Sequence, residues 1–154
     1  MFLTKNDFFE ILEGNRRLTM RVVEAFPEDQ LFNYTPDEKL RPFAEMVKEI
    51  MNIENGYMRG IALDKWEYQN LFEGVTTKEN LIKISNEIRE ETRKMWAEMP
   101  EERLEIVVKD SFFGPEQSHF ARLQYALENE IHHRGQGYTY LRILGIEPPE
   151  FYVR

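Results

Sequence analysis

The chain has no cysteine in its 154 residues. That excludes a disulfide framework, a thiolate zinc site, an iron–sulfur centre and a thiol nucleophile. It also lacks a long apolar run, since no stretch approaches the roughly 20 residues that span a bilayer. The opening stretch acquires Asp7 and Glu10 too early for a signal peptide. Basic runs are missing too, and none exceeds the pair Arg16-Arg17. With 20 basic residues against 28 acidic ones, the formal charge is −8, a balance that repels phosphate backbones and anionic lipid. Neither nucleic acid nor a membrane surface is an expected partner. A cytoplasmic protein is.

Several catalytic motifs are absent as well. There is no His-Glu-x-x-His run, no Gly-rich phosphate loop, no Gly-x-Ser-x-Gly elbow and no spacing that supports a Ser/His/Asp triad. Glu130-x-x-His133 matches half of a di-iron bundle site, which needs a second such pair on another helix. The other pair, Glu116 to His119, lies about 20 Å away along the same helix at a rise of roughly 1.5 Å per residue. A di-iron centre is therefore excluded. No repeat, low-complexity segment or linker divides the chain, so residues 1–154 read as one domain.

What is present is amphipathic helix. An apolar fraction of 42% and a charged fraction of 31% suit a packed globular chain. A first helix is predicted over residues 4–26, with Thr4 and Asp7 at its cap, Phe8, Ile11, Leu12, Leu18, Val22 and Phe26 facing inward, and Pro27 as its stop. Residues 30–40 read as irregular. A second helix begins near Arg41-Pro42 and runs to about Ile61, burying Phe43, Met46, Val47, Ile50, Ile53, Tyr57 and Ile61. Residues 64–75 form an aromatic loop folded back over the core. A third helix, 77–99, is capped by Thr76 and Glu79, with Leu81, Ile84, Ile88, Met95 and Trp96 inside. Its residues Arg89, Glu90, Glu91, Arg93 and Lys94 read as a solvated face. Leu104 to Val108 alternates like a short strand or extended connector, and Phe112-Phe113-Gly114-Pro115 reads as a turn. Ser118 caps a last helix that reaches about Leu144 and stops at Gly145. Its core stripe is Phe120, Leu123, Leu127, Ile131, Tyr138 and Leu141. Four long helices with an extended connector before the last one predict an all-α four-helix bundle.

Two of the three histidines, His132 and His133, are adjacent on that last helix. Asn129 and His133 are four residues apart and share a face, whereas His132 points about 100° away. His133 on the buried side is either a ligand or a histidine satisfied by a neighbouring carboxylate or carbonyl. His119, beside the start of the helix, reads as structural or solvated.

The run His132-His133-Arg134-Gly135-Gln136, followed by Tyr140-Leu141-Arg142-Ile143-Leu144-Gly145-Ile146 and Pro148-Pro149, resembles the last helix of the DinB/YfiT-like family. The segment from Met46 to Glu54, with Tyr57-Met58-Arg59-Gly60 and Trp66, is similar to that family's second helix. The resemblance implies an up-down-down-up bundle and a homodimer. The exposed aromatics expected at Phe72, Phe112, Phe113 and Tyr152 add weak support for the dimer. It also implies a divalent cation, nickel, zinc or manganese, held by three histidines, and relatives that are metal-dependent thiol transferases, isomerases and hydrolases. Carried over position by position, the ligands fall on Glu49, Asn129 and His133, so one histidine of three survives. Loss of imidazoles moves preference toward manganese, magnesium or calcium, or toward no ion. Glu54 and Glu130 lie off the shared face. The implied function is therefore a metal-dependent enzyme of the thiol-transferase or hydrolase type with a departed triad, Tyr140 or Tyr57 orienting substrate. The alternative is a metal-free, non-catalytic bundle that binds a small ligand or acts through its dimer surface.

Overall fold

Thr4 opens the first helix as its spacing suggests. Its hydroxyl accepts from the Asp7 amide at 3.0 Å while its own amide donates to the Asp7 carboxylate at 3.1 Å, so two first-turn donors are satisfied. Helix α1 spans Lys5–Ala25. The computed structural model describes residues 3–109 and 115–154. The predicted turn at Phe112-Phe113-Gly114-Pro115 lies almost wholly outside them. A short helix α2, Glu28–Asn33, occupies part of the stretch read as irregular. Glu28 and Asp29 sit favourably in its first turn, and Leu31 buries itself in the core. Helix α3 is Phe43–Leu63, with Pro42 at its cap, and α4 is Lys78–Glu98. Thr77, not Thr76, caps α4 by accepting from the Asn80 amide. A 3₁₀ turn at Glu101–Glu105 takes Leu104 and Glu105 from the predicted strand, and that strand's last two residues form β1, Val107–Val108, which pairs antiparallel with β2, Gln117–Ser118. Helix α5, His119–Ile143, starts on the Ser118 cap. The chain turns after it at Gly145, whose φ of 75° is a left-handed value that glycine adopts without strain.

Contacts along the helices fix their directions. Phe8 meets Phe120 while Asn15 meets Arg134, so α1 and α5 run parallel. Phe8 meets Trp96 while Glu13 meets Arg89, so α1 and α4 run antiparallel. Tyr57 meets Tyr125 while Glu49 meets His133, so α3 opposes α5. The long helices therefore run up, down, down, up. Two successive helices in the same direction require a return, which residues 64–77 supply. Phe72 and Val75 of that crossover are buried against the core, so Phe72 is an inward anchor rather than an exposed aromatic.

Two apolar clusters fill the bundle. One gathers Val22, Phe26, Phe43, Met46, Leu81 and Leu141; the other gathers Phe8, Tyr57, Trp96, Met99 and Leu123. Between them on the long helices lies a buried ionic layer that the sequence pattern did not show. Arg16 forks onto Glu130 at 3.0 and 3.2 Å and reaches Glu54 at 2.5 Å. Arg89 lies 3.1 Å from Glu54 and donates to Glu13 at 2.9 Å. Arg89 is thus buried, not part of the solvated face. Ile11 and Ile131 depart the other way: both are exposed, at 42% and 44%, because α1 and α5 turn those positions away from α3 and α4. His119 is structural, its Nδ1 donating to the Arg103 carbonyl at 2.7 Å. Among the described residues, no helix is long and apolar enough to cross a membrane.

Candidate functional site

Helices α3 and α5 bring the three sequence-selected residues together. Glu49, two turns into α3, places Oε1 3.0 Å from Nε2 of His133 and 3.1 Å from Nδ2 of Asn129. The four-residue spacing on α5 stacks Asn129 and His133 on the face that meets α3, as the helical period requires. The Asn129 amide has to present N–H rather than oxygen here, because a carboxylate only accepts. On its far side His133 holds Nδ1 at 2.7 Å from Oε1 of Gln136, one turn further along α5. The imidazole is therefore clamped at both nitrogens. His132 is exposed and only touches the edge of the His133 ring, their centroids 5.0 Å apart.

A fourth residue, which spacing did not single out, completes the site. Arg41, in the segment before α3, sets Nη2 2.5 Å from Oε2 of Glu49 and 3.3 Å from Nε2 of His133. Tyr140 fixes that segment, its hydroxyl donating to the Arg41 carbonyl at 3.0 Å. Tyr140 is itself buried. Tyr57 is buried in the other cluster, away from this site. The sequence signal for Arg41 was only its place beside Pro42 at a helix start. A loop arginine's reach has no periodicity to read.

The electrostatics follow from these partners. Partial burial opposes ionisation of Glu49, but hydrogen bonds from Asn129, Arg41 and His133 outweigh it and hold the carboxyl below its ordinary range. Arg41 and Glu49 are both partly exposed, so their ion pair is worth on the order of 1 kcal/mol or less. Glu54 and Glu130 do not join the site. Both are committed to Arg16, and Glu54 to Arg89 as well.

The donor set does not fit a divalent cation. Both oxygens of Glu49 are already engaged, one by Arg41 and the other by Asn129 and His133. The Arg41 guanidinium sets a fixed positive charge against the two atoms, Glu49 oxygen and His133 Nε2, that a cation would have to share. Among the described residues no three His, Asp or Glu side chains converge as a metal-binding set. One atom points the other way: Oδ1 of Asn129 is buried without a hydrogen-bond partner among the described residues.

A model of the DinB family matches residues 1–154. The uncharacterised protein YjoA of Bacillus subtilis strain 168 is 29% identical over 144 residues, covering 90% of each chain. The crystal structure of the DinB-like YjoA protein from Bacillus subtilis superposes with a TM-score of 0.72 at 26% identity, over 92% of this chain and 93% of that one. A DinB-like protein from Bacillus cereus ATCC 10987 gives a TM-score of 0.80 at 18% identity, over 99% and 100%, a likeness of fold alone.

Proposed function

The chain belongs to the DinB family, and on that premise we propose that it is a metal-independent, non-catalytic member that binds a small ligand where Arg41, Glu49, Asn129 and His133 meet. The observation that carries this reading is the Arg41 guanidinium, 2.5 Å from Glu49 and 3.3 Å from His133. It supplies the positive charge that a metal would otherwise supply. Its remaining N–H groups, on a side chain 44% exposed, suit an acceptor oxygen of a small ligand.

A metal-dependent thiol transferase or hydrolase is the second reading, and the unpartnered Oδ1 of Asn129 favours it. On that reading Arg41 swings outward, at the small cost of a partly exposed ion pair, and one nickel, zinc or manganese ion takes its place. Elemental analysis of the protein as isolated, then calorimetric titration after chelation, separates the two. The metal-independent reading expects no stoichiometric metal and no binding tighter than about millimolar. It also expects the variant combining Arg41→Ala, Glu49→His and Asn129→His to take up one zinc or nickel. Stoichiometric metal in the unmodified protein would overturn it.

Cytoplasmic residence and a homodimer belong to the same proposal. The exposed Ile11 and Ile131 on neighbouring helices, with Phe151 and Tyr152 of the C-terminal segment, give apolar surface for self-association. Sedimentation should then give twice the chain mass of 18.5 kDa. A single-chain mass at micromolar concentration would count against the dimer, and cell fractionation checks the compartment.

A further inference from the structure

A second polar groove lies on the α3–α4 flank, away from the face where Glu49 meets α5. It encloses about 550 Å³ and is lined by Asn55, Arg59, Gln69, Glu87 and Glu91 around an apolar floor of Leu71, Ile84 and Ile88. Two asparagines of α3, three residues apart, behave differently beside it. Asn52 is held by the crossover: its Oδ1 accepts the Leu71 amide at 3.2 Å, and its Nδ2 donates to the Tyr68 hydroxyl at 3.3 Å. Those bonds hold the wall of the groove. Asn55 is 3% exposed, yet its Oδ1 has no hydrogen-bond partner among the described residues. That oxygen is closed off from solvent, so the amide nitrogen, a donor, is the part of Asn55 that can open on the groove.

The charges around Asn55 are arranged with a gap. Glu87 and Glu91 stand one turn apart on α4, and neither forms an ion pair among the described residues. Arg59 faces them from α3 without pairing to either; its carboxylate partner is the exposed Glu67, at 3.7 Å. Opposite charges line one groove and do not close on each other.

We propose that this groove binds a small zwitterion, an α-amino acid or a short peptide. Its ammonium would sit between Glu87 and Glu91, and its carboxylate would sit on Arg59 with an N–H from the Asn55 amide, one turn back on α3. An apolar side chain would rest on Leu71, Ile84 and Ile88. A ligand carrying only one of the two charges would leave the opposite wall unpaired, so selectivity follows from the spacing of unlike charges across an apolar floor. The site is independent of the Arg41–His133 reading and stands or falls by itself.

L-leucine and L-leucyl-L-leucine are the probes, titrated into the full chain and followed residue by residue by amide chemical-shift changes. At least one is expected to give saturable changes at Asn55, Arg59, Glu87 and Glu91. The N-acetyl and amide forms of the same probe, each lacking one charge, should bind about tenfold or more weakly. Arg59→Gln and Glu91→Gln, substitutions at the rim that leave both apolar clusters untouched, should each weaken binding to a similar degree. Asn55→Leu should abolish it while the spectrum keeps the dispersion of a folded chain. No saturable change from either probe, or equal affinity for the singly charged analogues, would overturn the proposal.

Discussion

Glu54→Gln is expected to lower the unfolding free energy by about 3–5 kcal/mol, the usual loss when one partner of a buried ion pair is neutralised. Glu54 is 7% exposed and faces two buried guanidinium groups, Arg16 at 2.5 Å and Arg89 at 3.1 Å. The contact between Arg89 Nε and Glu54 Oε1 satisfies the distance of an ion pair but not hydrogen-bond geometry, since both atoms remain without a hydrogen-bond partner among the described residues. Arg89 bonds Glu54 through Nη2 instead, which donates to Oε2 at 3.3 Å, so the pair combines charge with one hydrogen bond. Gln has nearly the volume of Glu, so no cavity opens, and the loss isolates the charge. Among the described residues it leaves Arg16 with Glu130 and Arg89 with Glu13 as carboxylate partners. A domain of this size has roughly 5–15 kcal/mol in total, so the variant should unfold at a much lower urea midpoint with an unchanged slope. A loss below about 1 kcal/mol would mean that water reaches the layer and screens it.

The same carboxylate sets a pH dependence. Burial opposes ionisation of Glu54, but the charges of Arg16 and Arg89 and the close contact with Arg16 prevail and lower its pKa from the ordinary 4.5. A carboxyl whose folded pKa lies below the unfolded one stabilises the fold while ionised. The contribution is complete above pH 4.5 and is lost as pH falls through the folded value. The stability gap between the native chain and Glu54→Gln should therefore be wide at neutral pH and narrow in acid. Urea denaturation at pH 7 and pH 3 measures both gaps, and a gap that held constant would assign the effect to packing instead of charge.

Why the sequence showed some of this and hid the rest is a question of range. The caps at Thr4 and Ser118, the Pro27 stop and the Gly145 turn are contacts within a few residues, and each lies where spacing placed it. The inward stripe of α3 was legible for the same reason, since Phe43 to Ile61 repeats with the helical period. Asn129 and His133 were legible as a pair from their spacing, and the family likeness pointed across the bundle to Glu49. Arg16, Arg89 and Glu130 were not. A charged side chain on a helix reads as solvated, and nothing local reveals that Arg16 ends on a carboxylate 114 residues away. Arg41 was hidden because it acts from a loop. The exposed Ile11 and Ile131 were hidden because periodicity locates an apolar face but not how far the neighbouring helix covers it.

Gly137→Ala is the second large effect, and its size should depend on a residue 94 positions earlier in the chain. A Cβ at position 137 would lie 2.6 Å from the Phe43 ring, well inside van der Waals contact. Phe43 cannot retreat. It is fully buried and stacked on Phe26 with centroids 5.0 Å apart, so α3 and α5 must separate to admit a methyl group. Overpacking of this kind costs about 1–3 kcal/mol, and at this site it outweighs the roughly 1 kcal/mol that alanine gains over glycine within a helix. The glycine is thus an approach surface for Phe43, not a flexible joint. The close approach also seats α3 against α5 one turn from His133, so a forced separation should disturb the Glu49–His133 contact as well. Phe43→Leu shortens the ring side of the contact and by itself should cost on the order of 1–3 kcal/mol for the lost apolar volume. In that background Gly137→Ala should be nearly neutral, because the methyl group then occupies space the ring has vacated. The double variant is therefore expected to be more stable than the sum of the two single losses by about 1 kcal/mol or more. Strict additivity in urea denaturation would show that the two side chains do not meet.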